Sequence, residues 1–293
     1  MKRKKFRWWI IPVAIVGLVA VLAVVLEIIT LGNPIRPVFA ETAHSADVRI
    51  VESASPSITG QIVNERGTGI PALIRVFDAK NHRRWIDIVA QGYTDRDGNF
   101  SFPAAPGSYK LHVYKGSEYE YFILDITVAD GKDTLCTVRL ERIVNMAERG
   151  WFAGDVHQHS TYSDGANNVE EMALADVAMG LHFAVQTDHN TVEQNIPFLE
   201  ACEGLDSDSG FGFLGIAGDE ITTKAGHMNI WDPRDTADNY IHIDHTGPVL
   251  GSPFTDRKAA MTEIVTQMQQ CGMLSVMNHP FAGDKKRQVE DGA

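Results

Sequence analysis

Apolar and polar positions change rhythm three times along this 293-residue chain. From Trp8 to Leu26, 19 residues pass without a charge, and Lys2, Arg3, Lys4, Lys5 and Arg7 precede them. A helix of that length is about as long as a bilayer core is thick. Basic residues ahead of such a run place the N-terminus in the cytoplasm and the remainder outside. Residues 1–32 therefore predict a transmembrane anchor. A cleavable signal peptide cut near Ala40 is the alternative, since Val38-Phe39-Ala40 carries small residues where a signal peptidase reads. Either way the body is exported, as a membrane-anchored extracytoplasmic protein or, if cleaved, a secreted one. Residues 33–55 are polar with nearby prolines and predict a linker.

From Ser57 the period becomes two. Ile58 to Val63, Ala72 to Phe77, Phe100 to Phe102 and Tyr109 to Tyr114 alternate, with turn signals at Arg66-Gly67, Asp97-Gly98-Asn99, Pro106-Gly107-Ser108 and Asp130-Gly131. Regular short alternating runs predict a small all-β sandwich over residues 56–142. Asp95 and Asp97 read as a plain turn rather than a calcium loop, because no third acidic ligand follows at the right spacing.

From Trp151 strand-like and helix-like stretches alternate. WFAGDVH, HFAVQTDH (182–189), FLGIAGDEITT (213–223), HMNIW (227–231) and MLSVMNHP (273–280) read as strands. Asn168 caps a helix with Leu174, Val177, Ala178 and Leu181 on one face and Gly180 near its end; VEQNIPFLEACE (192–203) is a second. Asp256 opens a third, with Met261, Ile264, Val265 and Met268 on one face and Gly272 as its stop. This alternation predicts an α/β fold with parallel strands over residues 150–293.

Charge narrows the partners. One acidic and six basic residues fall in the first forty positions, so the remainder carries −17. Such a surface repels nucleic acid and suits a site that gathers cations. Cys136, Cys202 and Cys271 are scattered and read as small buried residues, with a Cys202–Cys271 pair the alternative.

The candidate chemistry sits where the strands end. The first ends at His157 and His159 with Asp164 beyond, the second at Asp188 and His189, the third at Asp219 and Glu220 with His227 following, the last at His279. Histidines two apart on a strand point the same way. In barrel-like α/β folds the C-terminal strand ends converge on one face. Imidazoles with carboxylates suit Zn, Mn or Fe. His44, His82, His112 and His182 read as polar edge residues, and His242 and His245 as a solvated loop.

Two resemblances follow. TDRDGNFSFPAAPGSYKLHV (94–113) resembles the carboxypeptidase-regulatory, transthyretin-like β-sandwiches, which implies a non-catalytic spacer or a surface for glycan or protein. The order HQHSTYSDG, TDHN, GDEITTKAGHMN, NHP resembles the PHP (polymerase and histidinol phosphatase) superfamily, and WFAGDVHQHSTYSDG its CehA/McbA-like branch. That resemblance implies a distorted (β/α)7 barrel with two or three divalent ions. By its pattern His157 and His159 hold one ion, Glu220 bridges to a second held also by His227 and His279, and Asp164 and His189 belong to a third. The family's late Asp-x-His has no match after His279, so the barrel is expected to be C-terminally incomplete.

The expected activity is a metal-dependent hydrolase that uses a metal-activated water on a small molecule, a phosphoester before a carbamate, ester or amide. His189 or Asp188 is expected to assist proton transfer beside Glu220. A non-catalytic binding or scaffold protein is the rival reading.

Overall fold

The computed structural model describes residues 45–80, 85–223, 226–232 and, within 262–279, all but 263, 267 and 271. The expected anchor, most of the linker, His44, His82, His242, His245, Asp256, Met261 and Cys271 lie outside these. Among the described residues no helix is long and apolar enough to cross a membrane.

Eight strands build the sandwich: β1 (Ser45–Glu52), β2 (Ser57–Val63), β3 (Leu73–Asp78), β4 (Ile88–Tyr93), β5 (Asn99–Pro103), β6 (Gly107–Tyr114), β7 (Phe122–Val128) and β8 (Lys132–Arg139). They form two four-stranded sheets, in the orders β1-β8-β2-β5 and β4-β3-β6-β7. Alternation does what it should. Ile58, Ile62, Ile74, Val76, Leu111, Val113, Ile126 and Val138 point inward and form one buried cluster. The turn at Asp95 is as expected: its carboxylate accepts from the backbone N–H of Asp97 (3.0 Å) and Asn99 (2.7 Å). Gly98 takes φ +79°, and a Cβ there would lie 2.2 Å from the Ile62 carbonyl oxygen, so only glycine fits.

β1 corrects the expected linker. Its side chains are almost all exposed, so no apolar period marks it. Backbone pairing with β8 along its whole length holds it, from Ser45 opposite Arg139 to Glu52 opposite Lys132. His112 and His182 are also corrected, since both are buried rather than polar edge groups. His112 packs against Phe77 with ring centroids 4.4 Å apart. His182 Nδ1 accepts from Ala153 N–H at 3.0 Å.

Beyond the sandwich come β9 (Gly154–Gln158), α1 (Val169–Ala178), β10 (Phe183–Gln186), α2 (Asn195–Cys202), β11 (Leu214–Thr223), β12 (Gly226–Asp232) and β13 (Leu274–Asn278). The expectation of parallel strands holds only for β9, β10 and β11. β12 and β13 run antiparallel, giving a mixed sheet in the order β13-β12-β11-β10-β9. The cause is local: two residues, 224 and 225, separate β11 from β12, which suits a hairpin and is far too short for a crossover. This open sheet is about half of the expected barrel.

α1 begins with a capping box. Asn168 Oδ1 accepts from Glu171 N–H (2.8 Å), and Glu171 reaches back to Asn168 N–H (3.2 Å). The helix buries Val169, Ala173 and Val177 with Ala184 of β10 and Phe198 and Cys202 of α2. On β11 and β12, Ile221, Met228 and Ile230 pack with Ile264, Met268 and Met273, so the expected apolar face of the last helix is realised at its described positions.

The sandwich and this α/β part share a polar seam. Lys115 is fully buried, and its ammonium donates to the Val177 carbonyl at the end of α1 (2.9 Å), where the helix dipole favours a cation. Burial still pulls its pKa down to about 7. Asp208, in a left-handed conformation at φ +65°, accepts from Asn64 (2.9 Å) and Tyr119.

Asp176, also in α1, is buried and accepts from Gln158 Nε2 at 3.1 Å. Burial raises its pKa to about 7, against the lowering pull of that hydrogen bond. The folded value lies above the unfolded one of about 3.9, so the native state keeps a proton that the unfolded chain releases. Stability therefore falls as pH rises from about 4 to about 7. Asp176→Asn cannot ionise. Its advantage over the parent should be small near pH 4–5 and reach a few kcal/mol, in order of magnitude, by about pH 8. Chemical denaturation at both ends of that range reads the difference; a gap independent of pH would contradict it.

Candidate metal centre

The site is built around one carboxylate. Glu220 lies inside β11, not at its end, and is fully buried. Period two puts Glu220 and Thr222 on the site face and Asp219 and Ile221 on the helix face. On the partner strand His227 stands opposite Thr222, and Asn229 opposite Glu220, so both join the site face. His227 enters at the start of its strand, as expected, but that strand runs antiparallel.

Five imidazoles surround Glu220. Its Oε2 lies 2.9 Å from His189 Nδ1, 3.2 Å from His159 Nε2 and 3.3 Å from His157 Nε2. Its Oε1 lies 3.2 Å from both His227 Nδ1 and His279 Nε2. His157 Nε2 and His159 Nε2 are 3.0 Å apart, as two side chains on one face of β9 should be. Asp164 is exposed and approaches from the loop after β9, 3.7 Å from His159 Nδ1 and 3.6 Å from His189 Nε2. His279 reaches back from just beyond β13 through a left-handed backbone turn at φ +25°.

These atoms form three overlapping groups able to hold a cation: His157, His159 and Glu220; His159, Asp164 and His189; His189, Glu220 and His227. The donor set fits such ions. Glu220 Oε2 is buried and accepts no hydrogen bond among the described residues, although three ring nitrogens face it. Acceptors aimed at a common point are what a divalent cation needs and what a hydrogen-bonded core avoids. The seven residues expected as ligands are thus all brought together.

Electrostatics keep the groups in ligand form. Burial works to raise the Glu220 pKa, but the Asn278 hydrogen bond and His157, His189 and His227 outweigh it and lower the value. Burial lowers the His159 pKa, helped by His189 and His157. Burial also lowers that of His227, with His279 and His189 adding to it against the opposite pull of Glu220. The carboxylate is ionised and these imidazoles neutral, as coordination requires.

Some functional neighbours left only a faint trace in the sequence. Asn278 Nδ2 donates to Glu220 Oε1 (2.8 Å) and to Asn229 Oδ1 (2.6 Å). Asn229 Nδ2 donates to the Val156 carbonyl (3.0 Å), tying β12 to β9. Thr222 Oγ1 lies 2.5 Å from His189 Nδ1. Asn229 follows His227 by two, the one periodic signal that places it on the same face. Asp188, expected to assist proton transfer, has its two oxygens occupied by donors from Ser160, Ser163 and Gln186.

No family model matches this chain. Among curated proteins it is similar to the DNA polymerase/3'-5' exonuclease PolX of Bacillus subtilis, at 37% identity over 62 residues, which is 21% of this chain and 10% of that protein. Among solved structures it is similar to a two-domain protein containing a predicted PHP-like metal-dependent phosphoesterase from Bacteroides vulgatus. There the identity is 22% and the TM-score 0.30, over 48% of this chain and 42% of that one. A streptococcal ancillary pilin aligns with 31% of this chain and 34% of its own, at 12% identity and TM-score 0.26. The chain spans less than two thirds of each of these relatives. The site itself shows a histidine and carboxylate cluster able to hold metal ions.

Two outcomes test the centre. Glu220→Gln keeps the volume and removes the bridging charge, so the purified protein should lose most of its bound Zn, Mn or Fe by elemental mass spectrometry while its far-UV dichroism stays unchanged. Metal retained in full would contradict the site. The lowered pKa values of His159 and His227 also mean that protons compete late for these two ligands. Occupancy should hold as pH falls through about 6.5, the ordinary histidine value, and drop only below it.

Proposed function

We propose that this chain is an exported hydrolase of the PHP type, held at a membrane by its N-terminal segment, that cleaves small phosphoesters with two or three divalent ions. The observation that carries the reading is the Glu220 carboxylate faced by five histidines, which belongs to two of the three ligand groups, while His159 and His189 join the third to them. Bound ions would activate water and neutralise charge on a phosphoryl oxygen and its leaving group. His157, His159, Asp164, His189, Glu220, His227 and His279 hold that centre. Thr222 and Glu220 turn the His189 ring, and Asn278 orients Glu220 toward it. The sandwich is a spacer of the carboxypeptidase-regulatory kind, locked to the hydrolase part through Lys115 and Asp208. The WFAGDVHQHSTYSDG wording supports the CehA/McbA-like branch, whose carbamate and ester substrates form the second class to assay.

The test uses the full chain in detergent, stripped with a chelator and resupplied with Mn, Zn or Fe. Aryl phosphomonoesters and phosphodiesters are assayed beside an aryl carbamate. Phosphoester turnover should appear only with metal and fall by more than about 100-fold in His157→Ala. Turnover of the carbamate alone would move the substrate class. Turnover of neither by a metal-loaded protein would favour the scaffold reading.

A further inference from the structure

Asp188 is fully buried, and the donors to its two oxygens come from Ser160, Ser163 and Gln186, with Ser163 Oγ also 3.4 Å from His159 Nδ1. Its Oδ1 accepts from Ser160 N–H (2.7 Å) and Ser163 Oγ–H (2.6 Å). Its Oδ2 accepts from Ser160 Oγ–H (2.8 Å) and Gln186 Nε2–H (2.7 Å). Three of the four donors come from the loop that follows β9, the loop that carries Asp164.

That loop is tightly wound. Ser163 N–H (3.1 Å) and Gly165 N–H (2.9 Å) both donate to the Ser160 carbonyl. A Cβ on Gly165 would lie 2.1 Å from the His159 carbonyl oxygen. Asp164 itself is 71% exposed, so packing does little to place its carboxylate. Its position follows from the loop's, and the loop is fastened to Asp188. Hydrogen bonds to a carboxylate are the strong kind, and three of them fasten this six-residue turn to one side chain.

We infer that Asp188 is a positioning residue that sets one metal position, the group of His159, Asp164 and His189, by bracing the Ser160–Gly165 loop. It lies one residue before His189 and braces the turn one residue after His159, so it fixes both flanks of that group. The inference rests on the metal-dependent reading above and adds that one position can be weakened apart from the others.

The experiment titrates the full-length, metal-free protein with Co²⁺ and follows its visible absorption. Asp164→Ala identifies the uptake step that belongs to this position. Asp188→Asn should weaken the same step by about 10–100-fold, the range for partners that orient a ligand, and leave the other steps and their spectra unchanged. Ser163→Ala, which deletes one donor to Asp188 along with the hydroxyl's 3.4 Å contact to His159 Nδ1 and leaves the backbone bonds in place, should weaken it less. If Asp188→Asn does not fold, as judged by circular dichroism, Ser163→Ala carries the test alone. Weakening of every step alike, or of none, overturns the bracing role while leaving the metal centre intact. An Asp164→Ala protein that titrates like the parent overturns the assigned position. A parent that takes up no Co²⁺ overturns the metal reading and the inference with it.

Discussion

A carboxylate buried in the middle of a sheet is the constraint on which the α/β part depends. Removing an ion of that size from water costs several kcal/mol unless the surroundings compensate. Among the described residues, Glu220 has one conventional donor, Asn278 Nδ2, and otherwise imidazole nitrogens around it. Neutral imidazoles can meet it with a ring N–H or, better, share cations with it. The sheet is arranged to bring them there. β9, β10 and β11 run parallel and deliver His157, His159 and His189 from one side, and the antiparallel β12 and β13 deliver His227 and His279 from the other.

Period two explains why this can be done without dismantling the fold. While Glu220, His227 and Asn229 face the site, Ile221, Met228 and Ile230 face a helix and form a dry cluster. One strand face can thus be polar and the other apolar at adjacent residues. A helix turning its side chains by 100° per residue would need three or four positions for the same change.

Much of this was legible in the sequence, and the exceptions have physical causes. Four sandwich strands, β2, β3, β5 and β6, announced themselves by alternation, and so did the N-cap at Asn168. The candidate ligands could be picked out because histidine and carboxylate recur at the edges of apolar runs, and the fold brings them together. β1 was not found, because it is held by its backbone and buries almost nothing. The direction of β12 was not found either, since strand direction is set by connection length and not by side-chain pattern. The burial of His182 depends on the Ala153 N–H, a backbone partner no pattern reveals.

The residues beside the ligands complete the account. Gln158 separates His157 from His159, points to the other side of β9 and is held by Asp176 of α1. Asp188 precedes His189 and binds the turn after β9. Asn190 follows His189, in a left-handed conformation at φ +50°, and clasps Thr222 through its N–H (2.8 Å) and carbonyl (3.1 Å). Asn278 precedes His279 and holds Glu220. His157, His159, His189 and His279 therefore each have, one residue away, a buried amide or acid whose hydrogen bonds help to fix the backbone. An imidazole on a loosely held strand would swing by more than a metal–ligand bond tolerates. Distances consistent to within about 0.2 Å need a rigid support, and hydrogen-bonded neighbours supply it from the far side of the same backbone.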